Sequence, residues 1–411
     1  MKIKCVGVFF LLFAVSFAEA NDSWPKFRGP DGSGVLATSL PVEWSTSENV
    51  KWRTELPGEG WSSPVVGSGK AYLTAAIPVE GGDQQFQLCL LMVDVQTGEL
   101  LKTVEVMPQD RRTRIHPKNS HASPTPILDG DRIYVHFGYQ GTACLSRDGE
   151  LIWSNRDLFF RPTHGNGGSP VLVDGRLVFT CDGDKNPRVV ALDADTGKLA
   201  WQTPRPVSAK KTFSFCTPSV ITVNGRKQII APGSDCVLAL DPASGEVIWD
   251  VRYTGYSVVP KPIFHQGLVY ISTSFDRPEM LAIDPTGSGV VTDTNVVWRV
   301  DRNAPKTPSM VAHKGSIYSV SDDGIVHCVD ATTGETLFRK RLGGGFSASP
   351  ILAGEYIYFT SEQGETTVIR AGVEFEQVAT NDLGERTLAS MAVVDGDIML
   401  RTVDALYRIG Q

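Results

Sequence analysis

Ala191-Leu192-Asp193-Ala194-Asp195-Thr196-Gly197-Lys198-Leu199-Ala200-Trp201 returns as Ala239-Leu240-Asp241-Pro242-Ala243-Ser244-Gly245-Glu246-Val247-Ile248-Trp249. Looser copies run over Met92–Lys102 and Cys328–Phe338, and a version one residue shorter ends at Trp153. Self-similarity at a period of tens of residues marks a repeat architecture, in which each unit buries its apolar face against its neighbours. The acid, the Thr-Gly and the aromatic position of the phrase are therefore read as structural.

Each copy closes a larger unit of four short β-type runs, A to D. The clearest is Ser169–Trp201, with tight turns at Asp174-Gly175 and Thr196-Gly197. Asp-Gly between β-branched runs is a hairpin signal because both residues tolerate positive φ. Eight A–B turns can be followed, from Gly67-Ser68-Gly69 to Asp395-Gly396. The C–D glycine also recurs eight times, from Gly98 to Gly410, at spacings of 38 to 51 residues. The fifth unit carries an insertion, Ser288 to Val297, ahead of Trp298. The last unit has no D strand, whereas Val50–Leu56 is a D-type strand without a unit. An all-β, eight-bladed propeller of four-stranded antiparallel blades follows, closed by the N-terminal strand completing the last blade. Trp52, Trp153, Trp201, Trp249, Trp298 and Phe338 fall at matching D-strand positions, where a large ring can bridge blades and an indole N–H can find a backbone partner.

The first twenty residues read as a signal peptide: Lys2 and Lys4, an apolar stretch from Val6 to Phe17, and Ala18-Glu19-Ala20 before the cut. The expected organisation is leader 1–20, N-terminal extension 21–49 and propeller 50–411, with a periplasmic or secreted location. Cys5 precedes the apolar run instead of following it, so neither a lipid anchor nor a transmembrane span is expected. Removing Lys2, Lys4 and Glu19 from 39 basic and 46 acidic residues leaves 37 against 45. That balance argues against a nucleic-acid partner.

The A-x-D-x-x-T-G-x-x-x-W phrase resembles the tryptophan-docking motif of the PQQ-like repeat propellers, a superfamily that includes the quinoprotein alcohol dehydrogenases and the BamB outer-membrane assembly proteins. The opening Trp24-Pro25-Lys26-Phe27-Arg28-Gly29-Pro30-Asp31-Gly32-Ser33-Gly34 is similar to the W-P-x-F-R-G-P-x-G-x-G start of secreted bacterial members. The resemblance covers about Val50 to Gly410 and implies the eight-bladed fold, since fold does not fix function. The chain departs from the dehydrogenases in having no adjacent Cys pair, and from the BamB lipoproteins in lacking a lipid-acceptor Cys.

The A–B and C–D turns are short and stereotyped, whereas the D–A and B–C connections vary. Variable loops on a rigid scaffold are where binding residues concentrate, so the D–A/B–C face and its central funnel are the expected site. Its D–A loops are basic for so acidic a chain, which favours an anionic ligand, although charged loops are ordinarily just solvated. The binding candidates are Trp61, Arg114, His116, His121, Arg161, His164, Asn166, Lys211, Phe215 and Tyr256. Asp182-Gly183-Asp184-Lys185-Asn186 has the D-x-D-x-N spacing of a calcium loop but lacks the later Gly and Glu, leaving a polar turn as the alternative. Cys181 and Cys216 fall on the same face, either as a disulfide or as buried free thiols.

No nucleophile elbow, phosphate loop or dinucleotide fingerprint occurs, so no catalytic residue is assigned. The leading expectation is a non-catalytic, exported, monomeric scaffold that binds a cell-envelope protein or anionic glycan without a cofactor. The alternatives are a quinoprotein-type oxidoreductase holding PQQ with calcium, and a glycan-cleaving propeller.

Overall fold

The computed structural model describes residues 23–82, 85–111, 114–183 and 185–411. The expected leader and its cut after Ala20 lie outside the described residues. Eight antiparallel sheets surround a central channel, and each reads A-B-C-D from the axis outward. Blade 1, for example, is Val65–Gly67, Lys70–Pro78, Phe86–Asp94 and Leu100–Pro108. Blade 8 takes A, B and C from Ala392–Val394, Asp397–Arg401 and Ala405–Ile409. Its D strand is Val50–Glu55, antiparallel to the C strand. Ring closure is thus made by the two ends of the fold, as the unpartnered strand requires.

Aromatic residues and glycines of the repeat form one device. The indoles of Trp52, Trp153, Trp201 and Trp298 donate to Val95, Ala194, Pro242 and Ala331 carbonyls of the next blade at 2.9–3.0 Å. Each ring also covers the following blade's C–D glycine: a Cβ on Gly197 would lie 2.4 Å from the Trp153 ring, and φ there is +68°. Only glycine meets both demands. Trp249 differs, donating instead to Gln228 Oε1, whose amide passes the tie on to the Pro285 carbonyl. The acid of the phrase caps the same turn, as Asp94 Oδ1 accepts from Gln96 N, Thr97 N and the Thr97 hydroxyl. The insertion in the fifth unit adds Gly289–Val290 in parallel to the outer strand of blade 4. A short helix, Thr292–Asn295, follows, and the D strand begins at Val296.

The opening segment occupies the channel itself. Trp24 bridges to Val66 in blade 1, and Leu128 N of blade 2 donates to Pro25 O. Arg28 is buried and donates to Met310 O, Pro350 O and Ser33 O. Val35–Leu36 then pairs in parallel with the innermost strand of blade 7. The glycines of the opening are steric necessities. A Cβ on Gly29 would sit 2.8 Å from the Trp24 ring and one on Gly34 would sit 2.6 Å from the Arg28 guanidinium, both at positive φ. From there the chain runs outward past buried Leu40 and Trp44, which stacks on Tyr358, to the D strand of blade 8. Residues 24–36 are therefore a plug that closes the channel from the A–B side.

Candidate functional site

Above the plug the channel opens into one cavity of about 560 Å³, with Phe27 of the plug among its lining residues. All eight D–A loops line it, together with Phe275 and Asp322 from the B–C loops of blades 5 and 6. The volume lies within the ~300–1,000 Å³ range of ligand pockets.

The deep wall is a belt two residues ahead of the innermost strands, Ser63, Thr125, Ser169, Thr217, Ser309, Ser349 and Ser390, with Lys261 holding the same position in blade 5 but not lining the cavity. Backbone N–H groups of one blade donate to the hydroxyl of the next. Ser63 N meets Thr125 Oγ1 at 3.1 Å, Thr125 N meets Ser169 Oγ at 2.9 Å, and Ser169 N meets Thr217 Oγ1 at 2.9 Å. Beyond the break at Lys261 the pattern resumes: Lys261 N to Ser309 Oγ, Ser309 N to Ser349 Oγ and Ser349 N to Ser390 Oγ, at 2.8–3.0 Å. Each hydroxyl oxygen of the belt except that of Ser63 thus already accepts a backbone proton, and a hydroxyl has one proton of its own to place. Ser349 gives its proton to Ser309. Those of Thr125, Ser169, Thr217, Ser309 and Ser390 have no acceptor among the described residues. Lys261 turns its ammonium down to the plug, donating to Gly32 O at 3.0 Å and Ser219 Oγ at 2.8 Å.

Nearer the mouth, blades 2 to 5 present an aromatic wall. His164 stands edge-on to His116 at 5.6 Å and to Phe213 at 5.2 Å, and Phe213 packs against Phe215 and Tyr256 at 6.1 and 5.5 Å. Burial, then the proximity of His116 and Arg114, holds the His164 pKa below the usual imidazole value. The Lys211 ammonium lies 3.7 Å over the Tyr256 ring and that of Lys306 lies 4.9 Å over Phe275. Neither forms an ion pair among the described residues, whereas Lys118 reaches Glu362 of blade 7 at 2.6 Å.

Of the sequence-derived candidates, Trp61, His116, His164, Lys211, Phe215 and Tyr256 line the cavity. Arg114 and Arg161 are exposed outside its wall. His121 packs on Phe86 and bonds Gln109 at 2.8 Å, and Asn166 backs onto Gly138. Asp182, a candidate calcium ligand, is engaged instead in an ion pair. It is fully buried, with one oxygen facing Arg205 Nε and the other shared by Arg205 Nη2 and the Ser214 hydroxyl. Asn186 sits at positive φ in a polar turn, and Asp184 lies outside the described residues. The Cys181–Cys216 bridge is not formed: both thiols are free and buried, and Cys216 donates to Pro260 O at 3.1 Å. Phe27, Phe213, Phe275, Lys306 and the hydroxyl belt were absent from the candidate set. The belt has a legible signal, a Ser or Thr followed by Pro or Met just before a β-branched run.

The calcium ion that the quinoprotein alternative would bring finds few ligands in this wall. Asp322 is the only carboxylate among the described lining residues, and its oxygens accept from Lys306 N, Thr307 N and the Thr307 hydroxyl. A calcium ion takes 6–8 oxygen ligands, carboxylates prominent among them. No group of three or more His, Cys, Asp or Glu among the described residues is placed to hold a metal.

A family model described as outer membrane protein assembly factor BamB matches residues 41–156, 90–294 and 282–405. A relative of that name from Yersinia pestis is 26% identical over 179 residues, 41% of this chain and 42% of that one. The chain spans less than two thirds of the length of the curated relatives it matches. Among solved structures, BamB from Moraxella catarrhalis superposes with a TM-score of 0.60 at 13% identity, covering 88% of this chain and 96% of that one. A europium-containing methanol dehydrogenase gives 0.69 at 10% identity, covering 94% and 91%. At such identities the structural likeness is one of fold alone.

Proposed function

The chain belongs to the family of outer membrane protein assembly factor BamB, and from that premise we propose that it is an exported, non-catalytic propeller that binds a cell-envelope partner, protein or anionic glycan, through its D–A/B–C face. One observation carries this reading: eight D–A loops converge on a plugged cavity whose wall offers binding groups but no paired carboxylates among the described lining residues. Its His164 contacts rings, and its lining carboxylate is held by backbone N–H groups. Binding surfaces use aromatic anchors in this way, with most of the energy in a few residues. Tyr256→Ala combined with Phe213→Ala is expected to lower retention of envelope-extract components on the immobilised protein at least tenfold. Unchanged retention would place binding elsewhere on the molecule.

The quinoprotein alternative rests on a shared fold and meets a wall without the carboxylates a calcium ion needs. Calorimetry with PQQ and calcium together is expected to show no micromolar binding. Micromolar binding with dye-linked alcohol oxidation would establish the oxidoreductase reading instead. Glycan cleavage by paired carboxylates needs a second acid close to the first, and Asp322 has no such companion among the described lining residues.

A further inference from the structure

Within the partner-binding reading, which this inference presupposes, we propose that the cavity takes the end of an acidic glycan, a uronate-bearing sugar chain entering head-first and stopping against the plug.

The hydrogen-bonding inventory of the wall selects the chemistry. Six belt oxygens already accept neighbouring N–H groups, while the hydroxyl protons of five lining residues have no acceptor among the described residues. Lys211 and Lys306 add two ammonium groups with no ion pair among the described residues. A wall of donors is satisfied by a ligand rich in acceptors, and carboxylates answer the lysines. A polypeptide is the poorer match because it brings a backbone N–H at nearly every residue. Those donors point in fixed directions and meet hydroxyls that each already accept one neighbouring N–H. Sugar hydroxyls rotate and both donate and accept, so they pair with the belt more readily.

The aromatic wall and the plug add shape. Phe213, Phe215 and Tyr256 offer ring faces and edges to the apolar C–H face of a pyranose, beside the two ammonium groups. The plug denies passage: residues 24–36 bond across the channel to blades 1, 2, 5, 6 and 7. A strand cannot thread through, so a polymer can offer only its end.

The test is calorimetry of the purified protein with trigalacturonate, monomeric galacturonate, polygalacturonate and neutral galactotriose. Trigalacturonate is expected to bind one-to-one, at least tenfold tighter than galactotriose and more weakly as salt rises. Weak binding of the monomer beside strong binding of the trimer assigns the site to a chain end and not to a free sugar acid; equal affinity would overturn the chain-end claim. Polygalacturonate is expected to saturate at one protein per chain, and many proteins per chain would overturn head-first entry. Lys211→Met with Lys306→Met is expected to weaken trigalacturonate at least tenfold while leaving the melting temperature unchanged. No binding of trigalacturonate overturns the proposal. If retention of envelope components still depends on Tyr256 and Phe213, the glycan assignment alone has failed; if it does not, the partner-binding reading falls as well.

Discussion

Replacing Asp182 with alanine is expected to destabilise the propeller by about 3–5 kcal/mol, the range for removing one partner of a buried ion pair. Asp182 follows the second strand of blade 3, and Arg205 follows the fourth. The guanidinium grips the carboxylate with Nε at 2.8 Å and Nη2 at 2.6 Å, and donates to Ala231 O and Pro232 O of blade 4 at 2.9 and 3.0 Å. Both side chains are wholly buried. Burial pulls against the arginine's charge, and Asp182 more than reverses it, holding the Arg205 pKa above its ordinary value. With Asp182 gone, that charge has only carbonyls left and no route to water. Nor can the guanidinium shift toward blade 4, where a Cβ on Gly233 would already lie 2.1 Å from it. Urea unfolding reads the loss. The double variant Asp182→Ala, Arg205→Met is expected to recover part of it, because removing both charges abolishes the orphan. A single variant within about 1 kcal/mol of the parent, the scale of an exposed pair, would show that the pair does not lock blades 3 and 4.

Asp182 also shows where sequence reading stops. Its D-x-D-x-N spacing is visible in one dimension, but the arginine that claims it is 23 residues away and arrives only when the four strands of blade 3 assemble. The ring, by contrast, was legible because each repeat carries its own instructions: a positive-φ glycine, the acid that caps its turn, and an aromatic to cover the next glycine. Loop residues have no such period. Sequence places His116, His121 and His164 on entry loops alike, yet His116 and His164 turn inward while His121 turns to Phe86 and Gln109. The opening motif was read as a family mark. Its structural meaning depends on contacts with Met310 and Pro350, about 300 residues away, which no local pattern encodes.

That plug shapes the site as much as the blades do. A propeller channel is open at both ends unless something fills it. Here Phe27 contributes to the cavity lining, and Arg28 fixes the segment to the carbonyls of blades 6 and 7. Arg28 has no carboxylate in hydrogen-bond contact among the described residues, and burial draws its pKa down to about 10, with Asp31 opposing. Cationic side chains held by carbonyls make the plug's seat costly in charge, and Lys261 is where that cost can be measured.

Lys261→Met is expected to reduce the rise of stability with pH between about 7 and 10.5. Lys261 stands where seven other blades carry a hydroxyl, and its buried ammonium faces Gly32 O and Ser219 Oγ, the latter passing its own proton to Pro262 O. Burial, then repulsion from Arg28 and Lys26, outweighs attraction from Cys216 and Asp31 and lowers its pKa from 10.5 to about 7. Between those values the unfolded chain holds a proton that the folded chain has released, so stability rises with pH across the window, by about 1.4 kcal/mol per pH unit. Well below pH 7 both states are protonated and the full penalty, on the order of 4–5 kcal/mol, is present and flat. Methionine fills similar space without a charge. Its advantage over the parent is therefore expected to shrink from pH 7 toward pH 10, while the lost hydrogen bonds to Gly32 and Ser219 give a pH-independent offset. The buried thiols, whose pKa values burial pushes up, pull with the opposite sign but are common to both proteins and cancel in the difference. Urea midpoints of parent and variant at pH 7, 8 and 9 decide it. Converging curves place a neutral amine beneath the plug at alkaline pH, and parallel curves would mean that Lys261 keeps its proton throughout.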